Sequence, residues 1–191
     1  CLADDLVVDA GSEWVAERDV PAGTADALTI LPHRGLPGGT PDEVVAAFAP
    51  AVPFVDFPSA AVISPETAGD HGTDAYVLSG ARRLDGHATA FREAVVATRG
   101  EIPPDTALYL PGIATPATVP LLVYAGVDLV DTDRAVVDGT RGRYLTTEGS
   151  TPLEVLEELP CPCPACQTTV EAFTREDCVE HNVNVLGAAL K

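Results

Sequence analysis

The sequence predicts an α/β protein, a partial or trimmed (β/α)8 TIM-like barrel that ends in a cysteine-rich segment. Three observations carry that expectation. Short apolar runs alternate with stretches of helical period along most of the chain, the pattern of βα units around a parallel sheet rather than of a sandwich. The chain has 191 residues, fewer than the about 250 of a complete eight-unit barrel, so only part of one, or a shortened one, fits. Four of the five cysteines fall within residues 161–178, which sets the end of the chain apart chemically.

The elements follow in order. DALTILP (26–32) reads as a strand. TPDEVVAAFAP (40–50) has Thr40 as N-cap, Pro41 at the first helical position and acids in the first turn, which together start a helix. VPFVDF (52–57) and DAYVLSG (74–80) are the next strands. DGHATAFREAVVATRG (85–100) sets Ala88, Phe91, Val95 and Ala97 roughly on one face and stops at Gly100, so a helix is expected. TALYLPG (106–112) is a strand, TPATVPLLVYAG (115–126) a helix and VDLVD (127–131) a strand. GRYLTTEGS (142–150) reads as a short strand and STPLEVLEEL (150–159) as a helix capped by Ser150 or Thr151. TRED (174–177) then offers a threonine cap with an acid three positions on, opening a last helix to about Leu190.

An apolar content of 46% is enough for one well-buried core and little for two, so one domain is expected. No run approaches eighteen apolar residues and no signal-peptide pattern occurs, which predicts a soluble, cytoplasmic protein with no membrane partner. A chain that opens at Cys1 and contains no methionine reads as part of something longer.

The 29 acids against 11 bases give a net charge of −18, and Lys191 is the only lysine. An acidic surface with arginine in place of lysine suits a cytoplasm of molar salt, so a halophilic source is expected. Acidity ordinarily opposes nucleic-acid binding, because affinity for phosphate comes from cations displacing counterions. At molar salt the Debye length falls to about 3 Å, and local arginines and shape must carry recognition.

Cys161, Cys163 and Cys166 form C-x-C-x-x-C, with Pro162 and Pro164 between them. A proline-stiffened loop can turn three thiolates toward one centre, and the three are too close in sequence for a disulfide network. Cys178 and His181 lie three apart on the last helix, hence on one face. Either one can complete a closed tetrahedral set of the kind that binds structural zinc. Zn2+ is the expected cofactor, holding the fold rather than performing chemistry. Residues 1–150 are then the barrel-like part, and 151–191 the zinc-binding segment and C-terminal helix of the same domain.

CPCPAC (161–166) followed by His181-Asn182, and YLPGIATPATVPLLVYAGVDLVDTDRAVVDGTRGRYLTTEG (109–149), together resemble the tRNA-guanine transglycosylase family. That family carries C-x-C-x-x-C ahead of His-Asn on a helix, and a tyrosine-leucine strand leading through a glycine turn and a helix to a G-[IV]-D-x-[FV]-D strand. The resemblance covers residues 109–191 and implies a TIM barrel, a transferase acting on tRNA, and zinc held by Cys161, Cys163, Cys166 and His181, with Cys178 a bystander. It also implies Asp131 as the nucleophile that attacks the ribose C1′ and displaces guanine. A carboxylate at the C-terminal end of a barrel strand sits on the catalytic face, and carboxylates are common nucleophiles at anomeric carbons.

Departures are plain. The family's second aspartate, a general acid/base in an Asp-Ser-Gly-Gly-Phe-Gln-like turn, has only Asp56 of VDFPSA as its counterpart. PGIATP replaces the Gly-x-Gly turn, TDRAVVD replaces a cysteine, proline and arginine pattern that grips tRNA, and only fourteen residues separate Cys166 from His181. This trimmed form resembles an archaeal branch that works on 7-cyano-7-deazaguanine already in tRNA, adding an amine toward archaeosine. True base exchange, or a noncatalytic zinc-stapled module that docks tRNA or a partner subunit, are the alternatives. Arg134, Arg141 and Arg143 are the tRNA-facing candidates, with Arg82, Arg83, His33 and Arg34 behind them, whereas Asp128 is expected to support structure. The resemblance also implies pairing through the zinc region, as a homodimer or with a partner subunit.

Overall fold

A computed structural model describes residues 7–9, 27–31, 40–48, 58–80, 83 and 86–191. The strand expected at 52–57, with Asp56, lies outside these residues, as do His33, Arg34 and Arg82. The chain divides into two compact units, Cys1–Leu110 with Gly126–Leu129, and Pro111–Ala125 with Val130–Lys191.

The first unit is built on a sheet with strand order β1-β2-β3-β4-β5-β6. Its strands are β1 (Val7–Asp9), β2 (Ala27–Ile30), β3 (Ser59–Ile63), β4 (Ala75–Leu78), β5 (Ala107–Leu110) and β6 (Leu129–Val130). The pairs from β1 to β5 are all parallel. Among the described residues each strand lies beside its successor in the chain, without the reversal that marks a doubly wound sheet. All four residues of β4 are buried, as expected of a parallel strand covered on both faces. Leu28, Ala60, Ala75, Val77 and Tyr109 form one apolar cluster, with Ile30, Val62, Ala107 and Leu129 packed against it.

Among the described residues, two helices accompany these strands. Helix α1 (Pro41–Phe48) starts where the sequence predicts, with Thr40 N–H donating to Glu43 at 2.8 Å. Helix α2 (Ala88–Glu101) buries Phe91, Val95 and Thr98, which stand at i, i+4 and i+7. Ala88 and Ala97, expected on that face, are exposed instead. Thr98 replaces them because its hydroxyl donates to the Ala94 carbonyl at 2.8 Å and so enters the core satisfied. Asp128 acts structurally, as expected. Its carboxylate accepts from Leu108 N–H at 2.8 Å and from Arg99 at 3.2 Å, while Arg99 also donates to the carbonyls of Pro103, Pro104 and Thr106.

In the second unit, α3 (Val119–Tyr124) is shorter than the expected 115–126. Thr115 and Thr118 exchange side-chain and backbone hydrogen bonds, at 2.9 and 3.3 Å, and use the first residues as a turn. Helix α4 (Asp133–Thr140) occupies a stretch to which the sequence reading gave no element. Its buried face is Ala135, Asp138 and Gly139, a helical spacing without large apolar residues to reveal it. Strands β7 (Arg143–Thr146) and β8 (Gly149–Pro152) pair antiparallel as a hairpin, where a single strand was expected. The helix expected over 150–159 is therefore corrected to β8 followed by one 3-10 turn, Leu153–Val155. Ladder bonds to β7 outcompete the helix, and Leu153, Leu156 and Leu159 pack around Tyr144 instead of along a helical stripe.

Helix α5 (Arg175–Ala189) closes the chain. The expected capping box is present: Thr174 accepts from Asp177 N–H at 3.2 Å, and Asp177 accepts from Thr174 N–H at 2.8 Å. The Thr174 hydroxyl, donating to Asp177 Oδ2 at 2.7 Å, and then the Thr174 N–H hold the exposed Asp177 carboxyl below its ordinary value. Helices α4 and α5 approach so closely at Gly139 that a Cβ there would lie 2.6 Å from Val179 Cα.

Candidate metal centre

Cys161 and Cys163 sit on an extended loop broken by prolines, and Pro164–Cys166 then makes a single 3-10 turn. Cys166 N–H donates to the Cys163 carbonyl at 3.0 Å, and Gln167 donates to the Pro162 carbonyl at 3.2 Å. The turn brings Cys163 and Cys166 Sγ to 3.6 Å of each other, and His181 Nδ1 reaches them from α5 at 3.4 and 3.3 Å. The donor atoms of Cys161, Cys163, Cys166 and His181 all lie within 4.8 Å of one another.

These spacings discriminate between two chemistries. A disulfide needs sulfurs about 2.05 Å apart, whereas zinc at its usual bond lengths holds tetrahedral donors about 3.6–3.8 Å apart. Cys163 and Cys166 Sγ have the second spacing and the imidazole stands slightly closer, at 3.4 and 3.3 Å, and three thiols with one imidazole match a structural zinc donor set. Cys178 is fully buried on the same helix but turns away, its thiol donating to the Arg143 carbonyl at 3.4 Å. The geometry thus places His181 in the group and leaves Cys178 out of it.

The surroundings orient the imidazole. His181 Nε2 bonds the Leu145 carbonyl at 2.9 Å, and because a carbonyl only accepts, the proton must be on Nε2. Nδ1 then presents its lone pair to the thiols. Tyr144 stacks on the ring with centroids 3.7 Å apart and planes at 10°, and its hydroxyl lies 3.5 Å from Cys166 Sγ. Nothing in the spacing of the sequence singled out Tyr144.

Burial pushes the Cys166 thiol up to about 12, only partly offset by the Tyr144 hydroxyl, and burial likewise raises Cys161 and Tyr144. The same burial lowers His181, which favours the neutral ring a ligand needs, against the Leu145 carbonyl bond that raises it. Without a cation the pocket therefore favours protonated thiols; a divalent ion reverses that preference.

The remaining predicted residues fall elsewhere in the described structure. Asp131 follows β6 and is half-buried. Gly112 N–H donates to both of its oxygens, at 3.0 and 2.9 Å, and Asp133 N–H donates to Oδ1 at 3.1 Å. Arg134 is paired with the buried Asp138 at 2.7 Å. Arg141 and Arg143 are exposed at the α4–β7 turn, Arg143 donating to Ser150 at 3.3 Å. Arg175, which the sequence reading passed over, donates to the Thr140 carbonyl at 3.2 Å and joins them at that turn. Only its position in the fold reveals it.

The family model described as queuine tRNA-ribosyltransferase (TGT) matches residues 57–187, well over half of the chain, beginning one residue after Asp56. An archaeosine synthase of Haloferax volcanii is 54% identical over 99% of this chain and 32% of its own length. An archaeosine synthase subunit alpha of Methanosarcina acetivorans is 34% identical over 96% of this chain and 33% of its own. The tRNA-guanine(15) transglycosylase of Haloferax volcanii is 34% identical over only 52% of the chain and 21% of its own length. The chain spans about a third of the length of the two archaeosine relatives. On the family model and on both nearly full-chain matches, the chain belongs to the TGT family.

Proposed function

We propose that this chain is the transglycosylase-like part of an enzyme that modifies tRNA in archaeosine biosynthesis, acting on 7-cyano-7-deazaguanine already in the tRNA. One observation carries the choice of branch: two relatives named for archaeosine synthase match nearly the whole chain, whereas the transglycosylase named for guanine 15 matches about half. A direct test replaces the corresponding segment of the Haloferax volcanii archaeosine synthase with residues 1–191 and reads tRNA nucleosides by mass spectrometry. Archaeosine retained in the chimera supports the proposal. Its loss in a chimera that is soluble and metal-loaded contradicts it.

In this reading residues 1–150 are a trimmed (β/α)8 barrel, supported by the stepwise strand order, and residues 151–191 are a zinc-binding segment. Cys161, Cys163, Cys166 and His181 hold Zn2+, which fills its coordination with protein donors and supplies structure. Asp131 and Asp56 are the carboxylates assigned to the substrate side. Arg141 and Arg143, with Arg134 nearer the buried Asp138, face the tRNA backbone. The acidic balance fits a halophilic cytoplasm, and no helix among the described residues is long and apolar enough to cross a membrane. The subunit name of the Methanosarcina relative supports a partner subunit or a second copy as the assembly.

Base exchange is the second reading, favoured by the position of Asp131. Backbone N–H groups hold its carboxylate still at a strand end, as a nucleophile at ribose C1′ requires. A carboxylate oxygen would bond to C1′ as the bond to the base breaks, with Asp56 giving the leaving base its proton. Asp131→Ala separates the readings. It abolishes a covalent tRNA adduct under base exchange, and there is no adduct to abolish if only the nitrile of the inserted base is modified.

A further inference from the structure

His181 and Asn182 are consecutive on α5, and together they take hold of both backbone polar groups of one residue in β7. His181 donates from Nε2 to the Leu145 carbonyl, and Leu145 N–H donates to Asn182 Oδ1, each at 2.9 Å. Successive helical side chains diverge by about 100°, so this double grip exists only where strand and helix meet at one register. The Asn182 Nδ2 group donates to the carbonyls of Ala135 at 3.1 Å and Arg143 at 2.9 Å. The amide orientation follows from these partners, since a flip would set Nδ2 against an N–H and the oxygen against two carbonyls. Asn182 is fully buried, and no buried side-chain polar atom among the described residues lacks a partner.

A buried asparagine that merely fills the core needs no link to the cluster. This one fixes the N–H of the residue whose carbonyl holds the histidine. We propose that Asn182 is a positioning residue for the metal centre: by tying the Leu145 N–H to the Ala135 and Arg143 carbonyls it holds residue 145 in place, and with it the carbonyl that selects the His181 tautomer and aims Nδ1 at Cys163 and Cys166. The proposal rests on the metal reading above. Partners one step beyond the ligands orient them, and losing such a partner lowers metal affinity about 10–100-fold.

The test uses the full chain with zinc and with cobalt(II) as probes, measuring affinity by competition with a chelating dye and coordination by the cobalt absorption spectrum. Asn182→Ala is expected to weaken both ions about 10–100-fold and to shift the cobalt bands. Asn182→Gln keeps both an acceptor for Leu145 N–H and a donor for the Ala135 and Arg143 carbonyls, is expected to bind more tightly than the alanine form and to restore part of the spectrum, and serves as the working variant if the alanine form does not fold. Leu186→Ala controls for simple loss of stability, because Leu186 is fully buried on α5 yet lies outside the apolar cluster around the thiols. It is expected to lower the melting temperature while leaving affinity and spectrum in place. Unchanged cobalt binding in Asn182→Ala, or an equal loss in Leu186→Ala, overturns the proposal. A wild-type chain that binds no cobalt overturns the metal reading and the proposal together, whereas a binding wild type with an indifferent Asn182→Ala overturns the proposal alone.

Discussion

In the sheet unit the buried positions are nearly all apolar, from Leu28, Ala60 and Ala75 to Val95 and Leu108, and its strands are tied by parallel ladders. In the C-terminal unit the deepest positions include His181, Asn182, Cys178 and Asp138 beside Tyr144 and Leu186. Apolar burial is non-directional and tolerates small losses. A core built from donors and acceptors is stable only while each of them is satisfied, and three thiols and an imidazole lie close enough together to hold a metal ion. The first unit should therefore weaken gradually when trimmed, and the second should fail abruptly when one partner goes.

The largest expected effect follows from metal removal. Chelation, or Cys163→Ala, is expected to cost the C-terminal unit on the order of 10 kcal/mol, the scale of zinc sites in small peptides. Calorimetry with and without chelator would show one transition collapsing while the sheet's remains. A single transition indifferent to chelator would break the comparison.

Smaller effects sharpen it. Leu108→Ala removes a fully buried side chain from β5 and is expected to cost about 2–5 kcal/mol in denaturant unfolding, with metal content unchanged. Gly139→Ala inserts a methyl 2.6 Å from Val179 Cα and is expected to cost about 1–3 kcal/mol as α4 and α5 part. If metal content falls with it, the seat of α5 and the ion are coupled.

The pH response is expected to be the subtlest. Burial pushes the thiols of Cys161, Cys166 and Cys178 up, Cys166 to about 12 and Cys178 to about 11. The unfolded chain releases these protons near the ordinary thiol value of about 8.5, while the folded, metal-free chain still holds them. The unfolded state then binds fewer protons, so stability falls as pH rises from about 9 through the folded values. With metal bound, three thiols have already given up their protons in the folded state, so unfolding with loss of the ion takes protons up below about 8.5 and stability there rises with pH; above that, only Cys178 contributes to a fall. Melting curves between pH 9 and 11 should fall more steeply for the metal-free chain than for the loaded one.

How far the sequence revealed all this tracks the same division. Apolar periodicity picked out β2, β4 and β5, because there the pattern and the burial coincide, and it picked out α2 through Phe91 and Val95 although Ala88 and Ala97 are exposed. The three clustered cysteines were legible from spacing, which left Cys178 and His181 both open as the fourth member until the geometry grouped His181 with them, and the capping box at Thr174 was legible too. Helix α4 escaped because its buried face is Ala135, Asp138 and Gly139, chosen for close approach rather than bulk. The hairpin end was misread as a helix because Leu153, Leu156 and Leu159 keep a helical spacing while packing from an irregular chain. Tyr144, Arg175 and the grip of Asn182 on Leu145 depend on contacts between residues more than thirty positions apart or on a ring stack, and no local pattern encodes them.

The central claim is that three thiols and one imidazole close around a single ion. Native mass spectrometry of the purified chain, paired with the cobalt(II) spectrum of the substituted form, tests it most directly. One divalent ion per chain and the intense bands of a tetrahedral site with thiolate donors are predicted. A chain that flies metal-free at full solubility, or a weak six-coordinate cobalt spectrum, would contradict it.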